Sequence, residues 1–154
     1  MIIVSSCLAG MKVRYNGTDC LEDTIGRLVK EGKAVALCPE LLGGFATPRE
    51  PAEIAGGTGE DVLLGKARVV TKSGEDVTDM YMKGAEEALR LAKEAGATAV
   101  VLKEFSPSCG SSMIYDGSFA NRQTAGNGVT AALFEREGIR VVSEAQIAEV
   151  VDVE

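Results

Sequence analysis

Four cysteines and no histidine set the chemistry open to this chain of 154 residues. Without imidazole there is no Ser-His-Asp triad and no histidine-held metal, and acid–base work falls to Asp, Glu, Lys, Tyr, Ser or Cys. Cys7 and Cys38 follow the short apolar runs Ile2-Ile3-Val4 and Ala34-Val35-Ala36-Leu37, and Cys109 lies in the loop after Thr98-Ala99-Val100-Val101-Leu102. If those runs are parallel strands, all three cysteines fall at the carboxyl edge of one sheet, where open α/β sheets bind ligands. Cys20 stands instead at the start of a predicted helix. Free cysteine is a common core residue, which is the plain alternative for each one alone. No C-x-x-C occurs, so zinc-ribbon and ferredoxin spacings are absent. Soft thiolates favour zinc, copper(I) or an iron–sulfur cluster. A structural zinc needs four closed ligands, which only Cys20 could complete. A three-cysteine site keeps one coordination position open for a substrate.

Other groups gather around these cysteines in sequence. Cys38-Pro39-Glu40 puts a carboxylate two residues beyond a strand end, as a proton carrier or as an ordinary loop glutamate. Ser106-Pro107-Ser108-Cys109-Gly110-Ser111-Ser112 is dense in hydroxyls and reads as a ligand-cradling loop or a solvated turn. Backbone groups of Gly43-Gly44 and the hydroxyls of Ser106 and Ser108 are the expected pocket wall. Arg49, Glu50 and Glu53 share a proline-stiffened segment, as a site wall or as an ion pair that anchors the loop. Gly126-Asn127-Gly128-Val129-Thr130-Ala131 fits G-x-G-x-x-A but follows no strand directly, so it is no dinucleotide fingerprint. A helix N-terminus open to a small anion or polar group is the expectation there.

The elements that must position these residues alternate. Apolar runs predict strands at 2–4, 34–38, 67–71, 98–102 and 139–142. Helical spacing predicts helices over about 20–30, 78–95, 128–136 and 143–150, several closed by a glycine. The segments 39–65 and 105–126, rich in glycine, proline and serine, read as long functional loops. Short apolar strands alternating with helices predict an α/β fold: one domain over 1–154, a three-layer sandwich with a mainly parallel sheet, and a site at the carboxyl ends of its strands.

Net charge is −7, which disfavours a nucleic-acid partner because an acidic surface repels phosphate backbones. No apolar run is long enough for a membrane span, and the first residues carry no basic signal-peptide region. A cytoplasmic setting with reduced thiols is expected, and a monomer or weak homodimer.

In combination these motifs resemble the thiouracil desulfurase family. The resemblance rests on Ser5-Ser6-Cys7-Leu8-Ala9-Gly10 with Arg14-Tyr15-Asn16-Gly17, and on Cys38-Pro39-Glu40 with Gly43-Gly44. It continues through Thr47-Pro48-Arg49, Pro51-Ala52-Glu53-Ile54 and Lys103-Glu104 to Ser106-Pro107-Ser108-Cys109-Gly110. Ile114-Tyr115-Asp116-Gly117 and Gly126-Asn127-Gly128-Val129-Thr130-Ala131 complete it, so it covers essentially the whole chain. Val13 departs from it, since many members carry a further cysteine there, and so does Glu50, where proline is common. The resemblance implies a [4Fe-4S] cluster on Cys7, Cys38 and Cys109, whose open iron takes the sulfur of a thiolated pyrimidine. It implies Glu40 as the acid and Ser106 as its partner. The expected reaction is a non-redox, hydrolytic C–S cleavage of a free base or nucleoside such as 2-thiouracil to the oxo base. A sulfur-carrier or cluster-binding module without turnover, or a structural zinc domain on all four cysteines, are the rival readings.

Overall fold

A computed structural model describes residues 2–5, 23–46, 49–103 and 107–143. The elements run β1 (Ile2–Ser5), α1 (Asp23–Lys30), β2 (Ala34–Leu37), α2 (Pro39–Leu42), β3 (Ala52–Ala55), α3 (Gly59–Leu63) and β4 (Arg68–Thr71). They continue with α4 (Thr78–Glu94), β5 (Ala99–Leu102), β6 (Met113–Tyr115), β7 (Gln123–Ala125), α5 (Val129–Arg136) and β8 (Arg140–Ser143).

The central sheet has four strands in the order β2-β1-β5-β8, and every pairing is parallel. All residues of β1 and β5 are buried, as expected for inner strands covered on both faces. Alternate side chains feed two cores. Ile2, Val4, Val101 and Val142 meet Ile25 and Leu28 of α1 on one face. Ile3, Val100 and Leu102 meet Ala88 and Ala92 of α4 and Ala131 and Phe134 of α5 on the other. The result is the expected three-layer α/β sandwich. The chain passes from β1 to β2 on one side and later to β5 on the other. The order therefore reverses between β1 and β5, which is the switch point at which such sheets open a crevice at their carboxyl ends. The Ser5 hydroxyl spans this point by accepting from the Lys103 backbone N–H at 3.0 Å.

Two expectations change. The strand at 67–71 forms, but outside the central sheet: β4 pairs antiparallel with β3, inside a segment read as loop. Val69 and Ile54 are buried in a third apolar cluster with Val62, Tyr81, Ile114, Val129 and Leu133, and that cluster holds the pair in place. The segment 105–126 likewise contains the antiparallel pair β6–β7. The expected helix over 20–30 begins at Asp23 among the described residues, and the expected helix at 143–150 lies outside them beyond Ser143.

Candidate active site

β2 ends at Leu37, and the chain turns into α2 at once. Cys38 takes the N-cap position with extended backbone, and Pro39 follows as the first helical residue. Proline suits that place because its fixed φ fits a helix start and its missing N–H would have no partner there. The half-buried Cys38 thiol therefore stands at the carboxyl edge of the sheet beside the first turn of a helix. Burial pushes it up from the ordinary thiol range. The backbone N–H groups of Leu41 and Glu40 and the charge of Arg49 pull the other way, and the Glu40 charge adds to the rise.

Glycines place α2 against α4. A Cβ on Gly43 would run into the Met80 carbonyl, and one on Gly84 would run into the Pro39 carbonyl. Tyr81 lies three residues before Gly84, on the same helix face, so the close crossing brings Glu40 onto Tyr81. The Tyr81 hydroxyl donates to Glu40 Oε2 at 2.8 Å, and Arg49 Nε donates to the same oxygen at 3.2 Å. The Glu40–Arg49 pair is largely withdrawn from water, with side chains 16% and 8% exposed. Phe45 closes the other side of the Tyr81 ring, with centroids 5.1 Å apart. Burial first, then the Glu40 carboxylate, hold the Tyr81 phenol well above its ordinary range; Arg49 opposes this and Cys109 adds to it.

Cys109 is a buried thiol outside any disulfide, packed in the same cluster as Ile3, Leu102, Ala131 and Phe134. Its loop is sewn to the start of α5. The backbone N–H groups of Gly128, Val129 and Thr130 donate to the carbonyls of Gly110, Pro107 and Ser108, each at 2.8 Å, and Ala131 N–H also reaches Ser108 at 3.2 Å. The Ser108 and Thr130 hydroxyls bond each other at 2.7 Å, both buried. A Cβ at Gly128 would strike the Ser108 carbonyl, so the glycine permits this contact.

These bonds correct three sequence expectations. The first turn of α5 is spent on the carbonyls of the Cys109 loop and is not open to an anion. Ser108 lies inside, holding the loop to α5, instead of facing a ligand. Gly43 and Gly44 turn their N–H groups back on the end of α2, to the carbonyls of Pro39 and Leu41, and Gly43 serves the helix crossing. Arg49 does form an ion pair, but with Glu40 on α2 rather than with its neighbours. Glu50 accepts from Ser73, and Glu53 accepts the backbone N–H groups of Gly117 and Phe119. The sequence does not single out Tyr81, because a tyrosine at helical spacing on α4 reads as one more core residue. Its signal was the hydroxyl, which a buried tyrosine must satisfy.

The structure thus brings Cys38, Glu40, Arg49, Tyr81 and Cys109 into one neighbourhood at the carboxyl side of the sheet. Cys7, Cys20 and Ser106 lie outside the described residues. Among the described residues no group of three or more Cys, Asp or Glu is arranged to hold a metal, and only two of the three expected thiols are among them.

A profile of the 2-thiouracil desulfurase family matches residues 2–146. The chain belongs to the 2-thiouracil desulfurase family. It is 59% identical over 150 residues to the uncharacterized protein YbbK of Bacillus subtilis (strain 168), covering 97% of this chain and 99% of that protein. Among solved structures it resembles the [4Fe-4S]-dependent thiouracil desulfidase TudS, with a TM-score of 0.86 and 46% identity over 99% of this chain and 95% of the other. Within a 2-thiouracil desulfurase, the soft donor set fits an iron–sulfur cluster. Cys38 and Cys109 are the thiols among the described residues, and thiolate is the soft donor that such a cluster takes.

Proposed function

We propose that this chain desulfurates a thiolated pyrimidine of the 2-thiouracil kind to its oxo base, using a [4Fe-4S] cluster held by Cys7, Cys38 and Cys109. The observation that supports this reading is a water-shielded, hydrogen-bonded Glu40 two residues beyond Cys38, bonded to the same Tyr81 that feels the Cys109 thiol, in a chain that matches TudS over nearly its full length. When bound, such a cluster supplies one iron with an open position, a Lewis acid for the thiocarbonyl sulfur.

The protein's own residues do the rest. Glu40 takes a proton from the water that attacks the thiocarbonyl carbon and returns protons to the departing sulfur. Ser106 orients that water or a ring edge of the base. Arg49 keeps Glu40 charge-paired inside the shielded site. One C–S double bond is exchanged for C–O, water supplies the oxygen and both hydrogens, and sulfur leaves as hydrogen sulfide. No electrons are exchanged, so no redox partner is required.

Residues 1–154 act as one domain, in the reducing cytoplasm, as a monomer or weak homodimer. Among the described residues no helix is long and apolar enough to cross a membrane. The net charge of −7 favours a free base or nucleoside over a long polyanion.

Anaerobic purification tests the reading. The expected result is a brown protein with broad visible absorption that converts 2-thiouracil to uracil. Cys7→Ser, Cys38→Ser and Cys109→Ser each lose most of the iron, and Cys20→Ser keeps it. Full iron in any of the first three removes that residue from the ligand set. A brown protein without turnover would make the chain a sulfur carrier or cluster-binding module, and a colourless one holding zinc would make it a structural zinc domain.

A further inference from the structure

Tyr81 is 3% exposed, and its cluster is otherwise apolar: Ile54, Val69, Ala85, Ile114 and Leu133. A phenol hydroxyl in such a place is costly unless bonded, and phenylalanine would fill the same space without that cost. The hydroxyl instead reaches Glu40, 41 positions away in sequence, at 2.8 Å. Two donors from different parts of the chain, Tyr81 on α4 and Arg49 beyond α2, meet on the single oxygen Oε2. The terminal torsion of a glutamate is broad, so one donor leaves the carboxyl plane free to swing and two largely fix it. The Tyr81 ring packs against Phe45 and within the apolar cluster, which hold it in place beside Glu40.

We propose that Tyr81 is a positioning residue for the desulfuration: its hydroxyl, with Arg49, locks the plane of the Glu40 carboxyl group so that Glu40 meets the substrate in one orientation. This rests on Glu40 carrying protons in the reaction proposed above. Tyr81 is not itself the acid. Its hydroxyl proton is directed at Glu40 Oε2 at 2.8 Å, and burial, then the Glu40 charge, hold the phenol well above its ordinary range, so it serves as a hydrogen-bond donor.

The test is Tyr81→Phe in the cluster-loaded enzyme. The variant keeps the ring, so iron content and Tm are expected to stay at wild-type values. Lost orientation lowers kcat about tenfold or more while KM stays within about twofold. In a Glu40→Gln background the same substitution changes the residual kcat less than about twofold, because its effect passes through Glu40. A readout apart from turnover is the NMR signal of ring-labelled tyrosine, where Glu40→Gln shifts the Tyr81 resonance and leaves Tyr115 in place. Unchanged kcat in Tyr81→Phe, with Glu40→Gln inactive, overturns the proposal and leaves the reading of Glu40 intact. Full activity of Glu40→Gln overturns that reading and this proposal with it. An equal loss on adding Tyr81→Phe to the wild-type and to the Glu40→Gln background, or loss of iron, gives Tyr81 a structural role and also overturns the proposal.

Discussion

Gly84→Ala tests the helix crossing on which the site depends. In an isolated helix this change stabilises by about 1 kcal/mol, since alanine is the better helix former. Here the added Cβ would stand 3.0 Å from the Pro39 carbonyl carbon and 3.1 Å from the Gly43 nitrogen, and closer still to the Pro39 oxygen. All three are backbone atoms, so no side-chain rotation relieves the contact. Overpacking of this kind costs about 1–3 kcal/mol, enough to outweigh the propensity gain. The structure relaxes by moving α2 off α4, by about 1 Å if normal contact is to return. Glu40 rides on α2 while Tyr81 rides on α4, so their 2.8 Å bond is stretched beyond hydrogen-bonding range. Misplacement of that size costs on the order of 100-fold in rate. Thermal unfolding of Gly84→Ala is expected to show a Tm a few degrees lower. Anaerobic turnover of 2-thiouracil is expected to fall far more than stability does, with Glu86→Ala on the exposed face of α4 as the unaffected control. A Gly84→Ala protein with wild-type Tm refutes the tight crossing. One with lowered Tm and wild-type kcat refutes the link between that crossing and Glu40.

Other outcomes follow from particular bonds. Asp76 accepts from both the N–H and the hydroxyl of Thr78 at the start of α4, at 2.9 and 2.6 Å, and these bonds hold its carboxyl below the ordinary carboxylate range. A depressed folded-state value stabilises above the unfolded value and is lost as pH falls through the folded one. Asp76→Ala therefore lowers Tm at pH 7, and its gap from wild type narrows as pH drops below about 4. Turnover of free 2-thiouracil is expected to depend weakly on salt, since no counterion release accompanies binding of an uncharged base. A much faster reaction on thiolated tRNA, lost steeply between about 50 and 200 mM salt, would instead identify a polyanionic substrate.

Local pattern made much of the molecule legible. β1, β2, β5 and β8 are short apolar runs, and α4 and α5 carry apolar residues at helical spacing between glycines, so their kind and order could be read residue by residue. The edge position of Cys38 and Cys109 followed from that order, because parallel strands all end on the same side. The segments 39–65 and 105–126 were not legible in this way. Their glycines and prolines signal turns, yet α2, α3, the strand β3 that partners β4, and the pair β6–β7 form there, with Ile54 and Ile114 buried by distant partners.

The same division runs through the site. Composition alone excluded histidine chemistry and left thiolates and carboxylates to do the work, and the spacing of Cys38 and Glu40 put the two side by side. Which hydroxyl faces inward and which donor meets the carboxylate were decided only by packing. Ser108 turned away to Thr130 because Gly128 lets its loop lie flat on α5. Tyr81 reached Glu40 because Gly43 and Gly84, far apart in the chain, let α2 and α4 touch backbone to backbone. Neither contact has a local pattern, since each depends on the absence of a side chain at a point that only the folded chain defines.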